Sequence, residues 1–179
     1  MKLNFPNKLT VLRVILVPVY MILLMLPLKD SIWPHLLGGA TFILCALTDF
    51  FDGLIARRLN MITDFGKFLD PLADKVLVVA AMLWFLQQQI IPAWAVLIVI
   101  VREFSITALR LIAVDNGRVI AAANLAKLKT ATTMVCLIIM FLPIPAWLVT
   151  VFIILIVVTT LMSGVEYFIR NRDILKMTK

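Results

Sequence analysis

The sequence contains few charged residues. Only 15% of its 179 residues are charged and 63% are hydrophobic, whereas soluble domains are about a quarter charged and about half apolar. So little charge cannot cover the surface of an ordinary soluble domain, and the composition therefore excludes that class. It predicts an all-α integral membrane protein whose apolar side chains face membrane lipids.

Cysteine and histidine are also scarce. The chain has two cysteines and one histidine. Cys45 and Cys136 lie within apolar runs, where a cysteine packs as a small hydrophobic residue. His35 has no second metal ligand near it in sequence. We therefore predict neither a disulfide nor a metal site built from cysteine and histidine.

The positive charge lies at the ends of the apolar runs. A formal net charge of +7 would favour a nucleic-acid partner in a soluble protein, but cations at the ends of membrane segments fix orientation and contact anionic headgroups. Nearly every lysine and arginine falls at one set of ends, and only Lys29 marks the other. Because positive loops stay inside, we predict a multi-pass protein of the cell membrane with both termini in the cytoplasm and no nucleic-acid partner.

Six apolar segments are long enough to span a bilayer, which requires about 20 residues. The apolar run behind a short amphipathic N-terminal segment, MKLNFPNKLTVLR, lacks a small-residue cleavage site, and we predict that this segment is retained. The polar stretch 59–68 is too short to cross and is predicted to be a loop. We predict a single domain over residues 1–179 with six transmembrane helices, at about 9–28, 34–58, 69–88, 93–114, 122–141 and 147–169.

Four aspartates interrupt the apolar pattern. Asp49 and Asp52 are three residues apart, and Asp70 and Asp74 are four apart, so each pair falls on one helical face, within about 60° and about 40°. Charged side chains at membrane depth persist mainly beside a cation, a cavity or a bundle interior. Four converging carboxylates are hard oxygen ligands and predict a divalent-metal site for Mg²⁺ or Mn²⁺, open to the cytoplasm.

Small and basic residues adjoin the aspartates. Gly53 and Ala56 lie beside the first pair and leave room for a substrate or a neighbouring helix. Arg57 follows at the cytoplasmic edge, where it can meet a phosphate, and Gly66 precedes the second pair in the predicted loop. Such a set suits phosphoryl transfer, because metals bridge phosphate oxygens and a carboxylate takes the proton of an attacking alcohol.

These residues form a motif with fixed spacing. Its eight positions are Asp49-x-x-Asp52-Gly53-x-x-Ala56-Arg57, then eight residues, then Gly66-x-x-x-Asp70-x-x-x-Asp74. All eight match the signature of the CDP-alcohol phosphotransferases, and the chain resembles that family. Three further runs resemble the bacterial phosphatidylglycerophosphate synthases within it, namely Pro6–Arg13, Arg102–Arg110 and Lys127–Thr130.

The resemblance implies a six-helix membrane enzyme, often a homodimer, that transfers the phosphatidyl group of CDP-diacylglycerol to sn-glycerol 3-phosphate. It implies that the four aspartates ligate two divalent metal ions and that Asp74 is also the base that activates the acceptor hydroxyl. The residues expected to bind CDP-diacylglycerol are Asn7, Thr10, Gly53, Ala56, Arg57, Thr63 and Gly66.

Basic residues on the fourth and fifth predicted helices bear on the acceptor. Several cations suit a dianionic phosphate better than a zwitterion such as serine. We therefore predict a pocket for the acceptor phosphate, formed by Arg102, Arg110, Lys127 and Lys129. Two structural interpretations stay open: an ion pair of Arg102 with Glu103 that only joins helices, and a purely topological role for the other three residues.

Two other functions stay open. The same chemistry with a different acceptor, such as serine, inositol phosphate or phosphatidylglycerol, would need the same aspartates. A cation transporter would also place carboxylates in the membrane. Against transport, all four aspartates lie toward one membrane face, and Arg57 and Lys75 flank them where a cation path would exclude positive charge.

Overall fold

A computed structural model describes residues 18–22, 33–58, 64–115, 117, 120 and 124–173, of which 33–34, 49–58, 64–74 and 115 are described by their backbone alone. All regular secondary structure in these ranges is α-helical, which confirms the predicted all-α class. The helices are residues 18–22 (α1), Trp33–Arg58 (α2), Asp64–Gln87 (α3), Ala93–Asp115 (α4), Asn124–Met140 (α5) and Ala146–Arg170 (α6).

The boundaries of α2, α4, α5 and α6 agree with the predicted ones to within two residues. For the first predicted helix, only residues 18–22 are described, and they are helical. The prediction for α3 was wrong at its start, because the helix begins at Asp64 and not near Leu69. Residues 64–68, and Gly66 with them, are therefore helical and not part of a loop.

The earlier start of α3 has a local physical cause. Phe65, Phe68, Leu69 and Leu72 continue the apolar spacing of an amphipathic helix. Asp64 is its first residue, and an acidic side chain there interacts favourably with the helix dipole. Polarity prevents this stretch from crossing a bilayer, but it does not prevent the helix from extending beyond the bilayer.

The described residues form two compact units, and the single domain over residues 1–179 stays a prediction. The first unit comprises the residues up to Gln87 together with Ile138–Pro143. In it, α2 packs against α3, and the core is an aromatic cluster around Phe141. The ring centroid of Phe141 lies 4.7 Å from Phe85, 5.4 Å from Trp84 and 6.1 Å from Phe42.

Gly39 of α2 allows this cluster to close. A Cβ atom added at Gly39 would lie 2.8 Å from the Cβ and 3.2 Å from the Cγ of Phe141. Two carbon atoms pack comfortably only at about 3.5 to 4.0 Å. The absence of a side chain at this position therefore lets Phe141 approach the α2 backbone.

The second unit comprises Gln88–Leu137 and the residues from Ile144 onward. In it α4 packs against α6, and their shared core contains Ile106, Leu109 and Tyr167, with Ile120 against it. Ile106, Leu109 and the fully buried Ala113 follow one another at helical spacing on α4. Arg102 precedes them by four residues, so this charged residue occupies the inward stripe of the helix.

The chain is a membrane protein, as its composition indicates, and α6 agrees with this. Among the described residues, α6 is the one helix long and apolar enough to cross a bilayer. Large apolar side chains are exposed along it, as expected for a surface in contact with lipid. They are Trp147, Val151, Ile154, Leu155, Val158, Leu161, Met162, Val165, Phe168 and Ile169. The six transmembrane spans and the cytoplasmic termini stay predictions.

Candidate active site

The four aspartates lie on one helical hairpin. Five residues connect the end of α2 at Arg58 to the start of α3 at Asp64. Because the two helices also pack against each other, they run in opposite directions. Asp49 and Asp52 lie near the end of α2, and Asp70 and Asp74 near the start of α3.

The hairpin places the two aspartate pairs at matching heights. Asp52 is six residues before the end of α2, and Asp70 is six residues after the start of α3, so each lies about 9 Å from that end of its helix at 1.5 Å per residue. Asp49 and Asp74 lie about 13.5 Å and about 15 Å from these ends on the same scale. The hairpin therefore carries one aspartate of each helix at each of two heights. Hard divalent cations bind several oxygen ligands, and four carboxylates provide ligands of this type and number.

The residues predicted to bind CDP-diacylglycerol fall mostly on the same hairpin. Gly53, Ala56 and Arg57 lie in the last two turns of α2, and Gly66 lies in the first turn of α3. Only the backbone of these four residues is described, as for the aspartates. The remaining three predicted contacts lie outside the described residues: Asn7, Thr10 and Thr63.

A buried cluster of charge occupies the second unit. The Glu103 carboxylate accepts hydrogen bonds from two cations at the same oxygen, Oε1: the Arg102 Nη1 group donates at 2.7 Å and the Lys129 Nζ group at 2.7 Å. The three side chains are only 10%, 16% and 5% exposed for Arg102, Glu103 and Lys129. This cluster joins α4 to α5, and its three named side chains together carry a formal charge of +1.

Arg110 directly follows Leu109 of the α4 core and bonds to α6. Its Nε group donates to the Tyr167 hydroxyl at 3.1 Å, and its guanidinium carbon lies 5.7 Å from the centroid of the Tyr167 ring. Both the hydroxyl and the ring face of this buried tyrosine therefore stabilise the cation. Tyr167 fixes the direction of the Arg110 guanidinium.

The four residues predicted to bind the acceptor phosphate thus lie in three different environments. Arg102 and Lys129 share Glu103, Arg110 bonds to Tyr167, and Lys127 is exposed on α5. The predicted ion pair of Arg102 with Glu103 is confirmed as a contact. Phosphate binding by the four residues stays a prediction.

Sequence reasoning missed two of these partners. It linked Glu103 to Arg102 but not to Lys129, and it assigned nothing to Tyr167. The charges of the apolar segments could have indicated the second partner of Glu103. Cations in such segments pair with a carboxylate, and Glu103 is the one carboxylate of the predicted fourth and fifth helices, which carry several cations. Nothing in the local spacing of Tyr167 distinguishes it from the apolar residues around it.

Comparison with known proteins decides the family. The sequence profile of the CDP-alcohol phosphatidyltransferases matches residues 3–164. This chain belongs to that family. The resemblance read from the eight motif positions is thereby confirmed.

Curated relatives of this CDP-alcohol phosphatidyltransferase cover nearly its whole length. It is 41% identical to a CDP-diacylglycerol–glycerol-3-phosphate 3-phosphatidyltransferase of Bacillus subtilis (strain 168), over 97% of each chain. It is 34% identical to a probable phosphatidylglycerophosphate synthase of Mycobacterium tuberculosis, over 96% of this chain and 83% of the relative. It is 38% identical to a CDP-diacylglycerol–glycerol-3-phosphate 3-phosphatidyltransferase of Rickettsia typhi, over 78% and 76%.

Membership of this family makes the chain an enzyme, a CDP-alcohol phosphatidyltransferase. The prediction of an enzyme is therefore confirmed, and the cation-transporter alternative is set aside. The relatives named above are enzymes or probable enzymes of one reaction type.

Proposed function

We propose that this chain transfers the phosphatidyl group of CDP-diacylglycerol to sn-glycerol 3-phosphate, giving phosphatidylglycerophosphate and CMP. One observation carries the proposal: the 41% identity, over 97% of both chains, to the Bacillus subtilis protein named for this activity. The names of the Mycobacterium tuberculosis and Rickettsia typhi relatives agree with it. The reaction belongs to phospholipid biosynthesis.

The aspartate hairpin is the proposed metal site. Asp49, Asp52, Asp70 and Asp74 would hold two divalent ions, Mg²⁺ or Mn²⁺. The shared heights of the two pairs and the oxygen donor set support this assignment. When bound, the ions neutralise the pyrophosphate and stabilise the charge that develops on it.

Asp74 is the proposed general base. Its carboxylate takes the proton of the acceptor hydroxyl while the hydroxyl oxygen attacks the phosphorus bonded to diacylglycerol. A phosphorus–oxygen bond forms to the acceptor, the bond between the attacked phosphorus and the bridging oxygen of the pyrophosphate breaks, and that oxygen leaves as part of CMP with the bonding electron pair. CDP-diacylglycerol is held during this step by Asn7, Thr10, Gly53, Ala56, Arg57, Thr63 and Gly66.

The acceptor phosphate is assigned to the basic side chains of the second unit, Arg102, Arg110, Lys127 and Lys129. Lys129 and Arg102 are nearly buried, and Arg110 is held in place by Tyr167. Cations fixed in this way lose little freedom when an anion binds, which favours a phosphate over an uncharged or zwitterionic acceptor.

The proposed setting is the cell membrane. Six transmembrane helices would leave the lipid tails of CDP-diacylglycerol in the bilayer, while the active site and both termini face the cytoplasm. Neither substrate then needs to cross the membrane. The functional unit we propose is a homodimer.

An acceptor panel tests the function. Purified protein in detergent, with Mg²⁺ or Mn²⁺ and labelled CDP-diacylglycerol, is offered glycerol 3-phosphate, serine, inositol phosphate or phosphatidylglycerol in separate reactions. We expect CMP release and a labelled lipid product with glycerol 3-phosphate. A product with one of the other acceptors and none with glycerol 3-phosphate would overturn the proposed function.

A further inference from the structure

One edge of the Arg102 guanidinium lacks a partner. Nη1 is bonded to Glu103, but Nε and Nη2 are buried and have no hydrogen-bond partner among the described residues. A buried donor without a partner is destabilising and is rare in native proteins. The unpartnered atoms are therefore a sign that a ligand bonds there.

The geometry of this edge specifies the ligand. The Nε–H bond and one Nη2–H bond of a guanidinium are parallel and form a fork that fits two oxygens of a single phosphate or carboxylate. A lysine in the same place would present a point charge without this fork. Arg102 therefore offers a bidentate site for an oxyanion.

The charge of the cluster also favours an anion. Arg102 and Lys129 contribute two positive charges and Glu103 one negative charge, and all three side chains are at least 84% buried. An unbalanced charge away from water is costly until a counter-ion binds. The formal excess of one positive charge among these three side chains and the unpartnered fork of Arg102 lead to the same class of ligand.

Glu103 determines where the fork lies. Adjacent residues on a helix point about 100° apart, so the Arg102–Glu103 bond requires the arginine to bend sideways along α4. Lys129 holds the same carboxylate oxygen from α5. The stem of Arg102 passes close to Gly164 of α6, where an added Cβ would lie 3.4 Å from the Arg102 Cγ.

We propose that Glu103 is a positioning residue that, anchored by Lys129, holds the Arg102 Nε–Nη2 edge ready for two oxygens of the acceptor's phosphate. This inference rests on the proposed function and deepens it. It assigns the bidentate contact to Arg102 and gives Glu103 and Lys129 a supporting role. Glu103 itself does not touch the substrate.

The variant Glu103→Gln tests the positioning role. It keeps the shape of the side chain but removes its charge, so that Arg102 and Lys129 are no longer held. We expect the apparent KM for glycerol 3-phosphate to rise by about tenfold or more, while the KM for CDP-diacylglycerol changes by less than about twofold. If Glu103 only lowered the local charge, the KM for glycerol 3-phosphate would instead fall, because the cluster would gain positive charge.

The variant Arg102→Lys tests the fork and also serves if Glu103→Gln folds poorly. It keeps the charge and removes the parallel pair of N–H bonds. We again expect about a tenfold rise in the acceptor KM. As a readout without turnover, glycerol 3-phosphate should raise the Tm of the unmodified protein more than glycerol does, and this difference should disappear in Arg102→Lys. A wild-type KM and a wild-type Tm response in Arg102→Lys would overturn the proposal.

Glu166→Gln is the matched control. Glu166 is also 16% exposed and bonds to an arginine, Arg170, which is itself 65% exposed on the same helix. This variant should leave both KM values unchanged. An unchanged or lowered acceptor KM in Glu103→Gln would overturn the inference, provided that the unmodified protein uses glycerol 3-phosphate. Failure of the unmodified protein in the acceptor panel would instead overturn the proposed function.

Discussion

The two tyrosines of the chain provide a controlled test of how Arg110 is held. Tyr20 and Tyr167 are both buried, at 0% and 1% exposure. The Tyr167 hydroxyl accepts the hydrogen bond from Arg110, whereas the Tyr20 hydroxyl has no hydrogen-bond partner in the described part of the chain. Replacing each by phenylalanine removes one oxygen atom and keeps the ring, so the two variants differ mainly in the bond that is lost.

The expected magnitudes follow from these contacts. Tyr167→Phe leaves the half-buried Arg110 Nε group without its partner, which should lower the free energy of unfolding by about 1 to 2 kcal/mol. The ring remains 5.7 Å from the guanidinium, so the cation–π contact, worth about 0.5 to 1 kcal/mol, is kept. Tyr20→Phe removes an unsatisfied hydroxyl and should be neutral or stabilising by up to about 1 kcal/mol.

Thermal unfolding of both variants in the same detergent measures the difference. At about 2 to 4 °C per kcal/mol for a chain of this size, Tyr167→Phe should lower the Tm by about 2 to 8 °C, and Tyr20→Phe should not lower it. If Arg110 binds the acceptor, the KM for glycerol 3-phosphate should also rise by about three- to tenfold in Tyr167→Phe only. Equal Tm values with an unchanged acceptor KM in both variants would refute this account of Arg110.

Four further outcomes are expected. A chelator should abolish CMP release, and Mg²⁺ or Mn²⁺ should restore it; full turnover in EDTA would exclude the metal mechanism. Asp74→Asn should keep CDP-diacylglycerol binding but lose most of kcat, because an amide does not accept the hydroxyl proton; a near-normal kcat would assign the base elsewhere. Arg110→Gln and Lys129→Gln should each raise the KM for glycerol 3-phosphate by about tenfold at an unchanged KM for CDP-diacylglycerol, and initial rates that show no change in either variant would leave these cations a topological role. Gly39→Ala should lower the Tm, because the clash with Phe141, worth about 1 to 3 kcal/mol, outweighs the gain in helix propensity of about 1 kcal/mol; a higher Tm would mean that the aromatic cluster adapts.

Local features of the fold and the site could be predicted from sequence. The apolar runs gave the ends of α2, α4, α5 and α6 to within two residues, because burial and helix formation both follow the local pattern. The start of α3 at Asp64 could not be obtained in this way. The predicted start assumed that the helix begins where the chain enters the bilayer. A helix can extend beyond the bilayer, because each added residue contributes a further backbone hydrogen bond.

Contacts between distant residues could not be predicted. Lys129 is 26 residues from Glu103, and Tyr167 is 57 residues from Arg110. Helical periodicity shows that each residue lies on an inward face, but it does not show which helix packs against that face. The motif spacing identified the aspartates because both pairs are short-range, whereas the partners of the basic residues depend on tertiary packing.

The aspartate hairpin has a consequence for how the enzyme is made. All four aspartates lie between residues 49 and 74, and Tyr167 of α6 follows Asp74 by 93 residues. At about 5 to 20 residues per second, the ribosome needs about 5 to 20 s to reach Tyr167 after Asp74 has been added. The two helices of the hairpin are consecutive in the chain and pack against each other, so the two aspartate pairs can be brought onto one hairpin within that interval, before Phe141 adds its contacts to Phe42, Trp84 and Phe85. The nascent protein can therefore form the aspartate hairpin before the helices that bear Arg102, Lys129 and Tyr167 have all been synthesised.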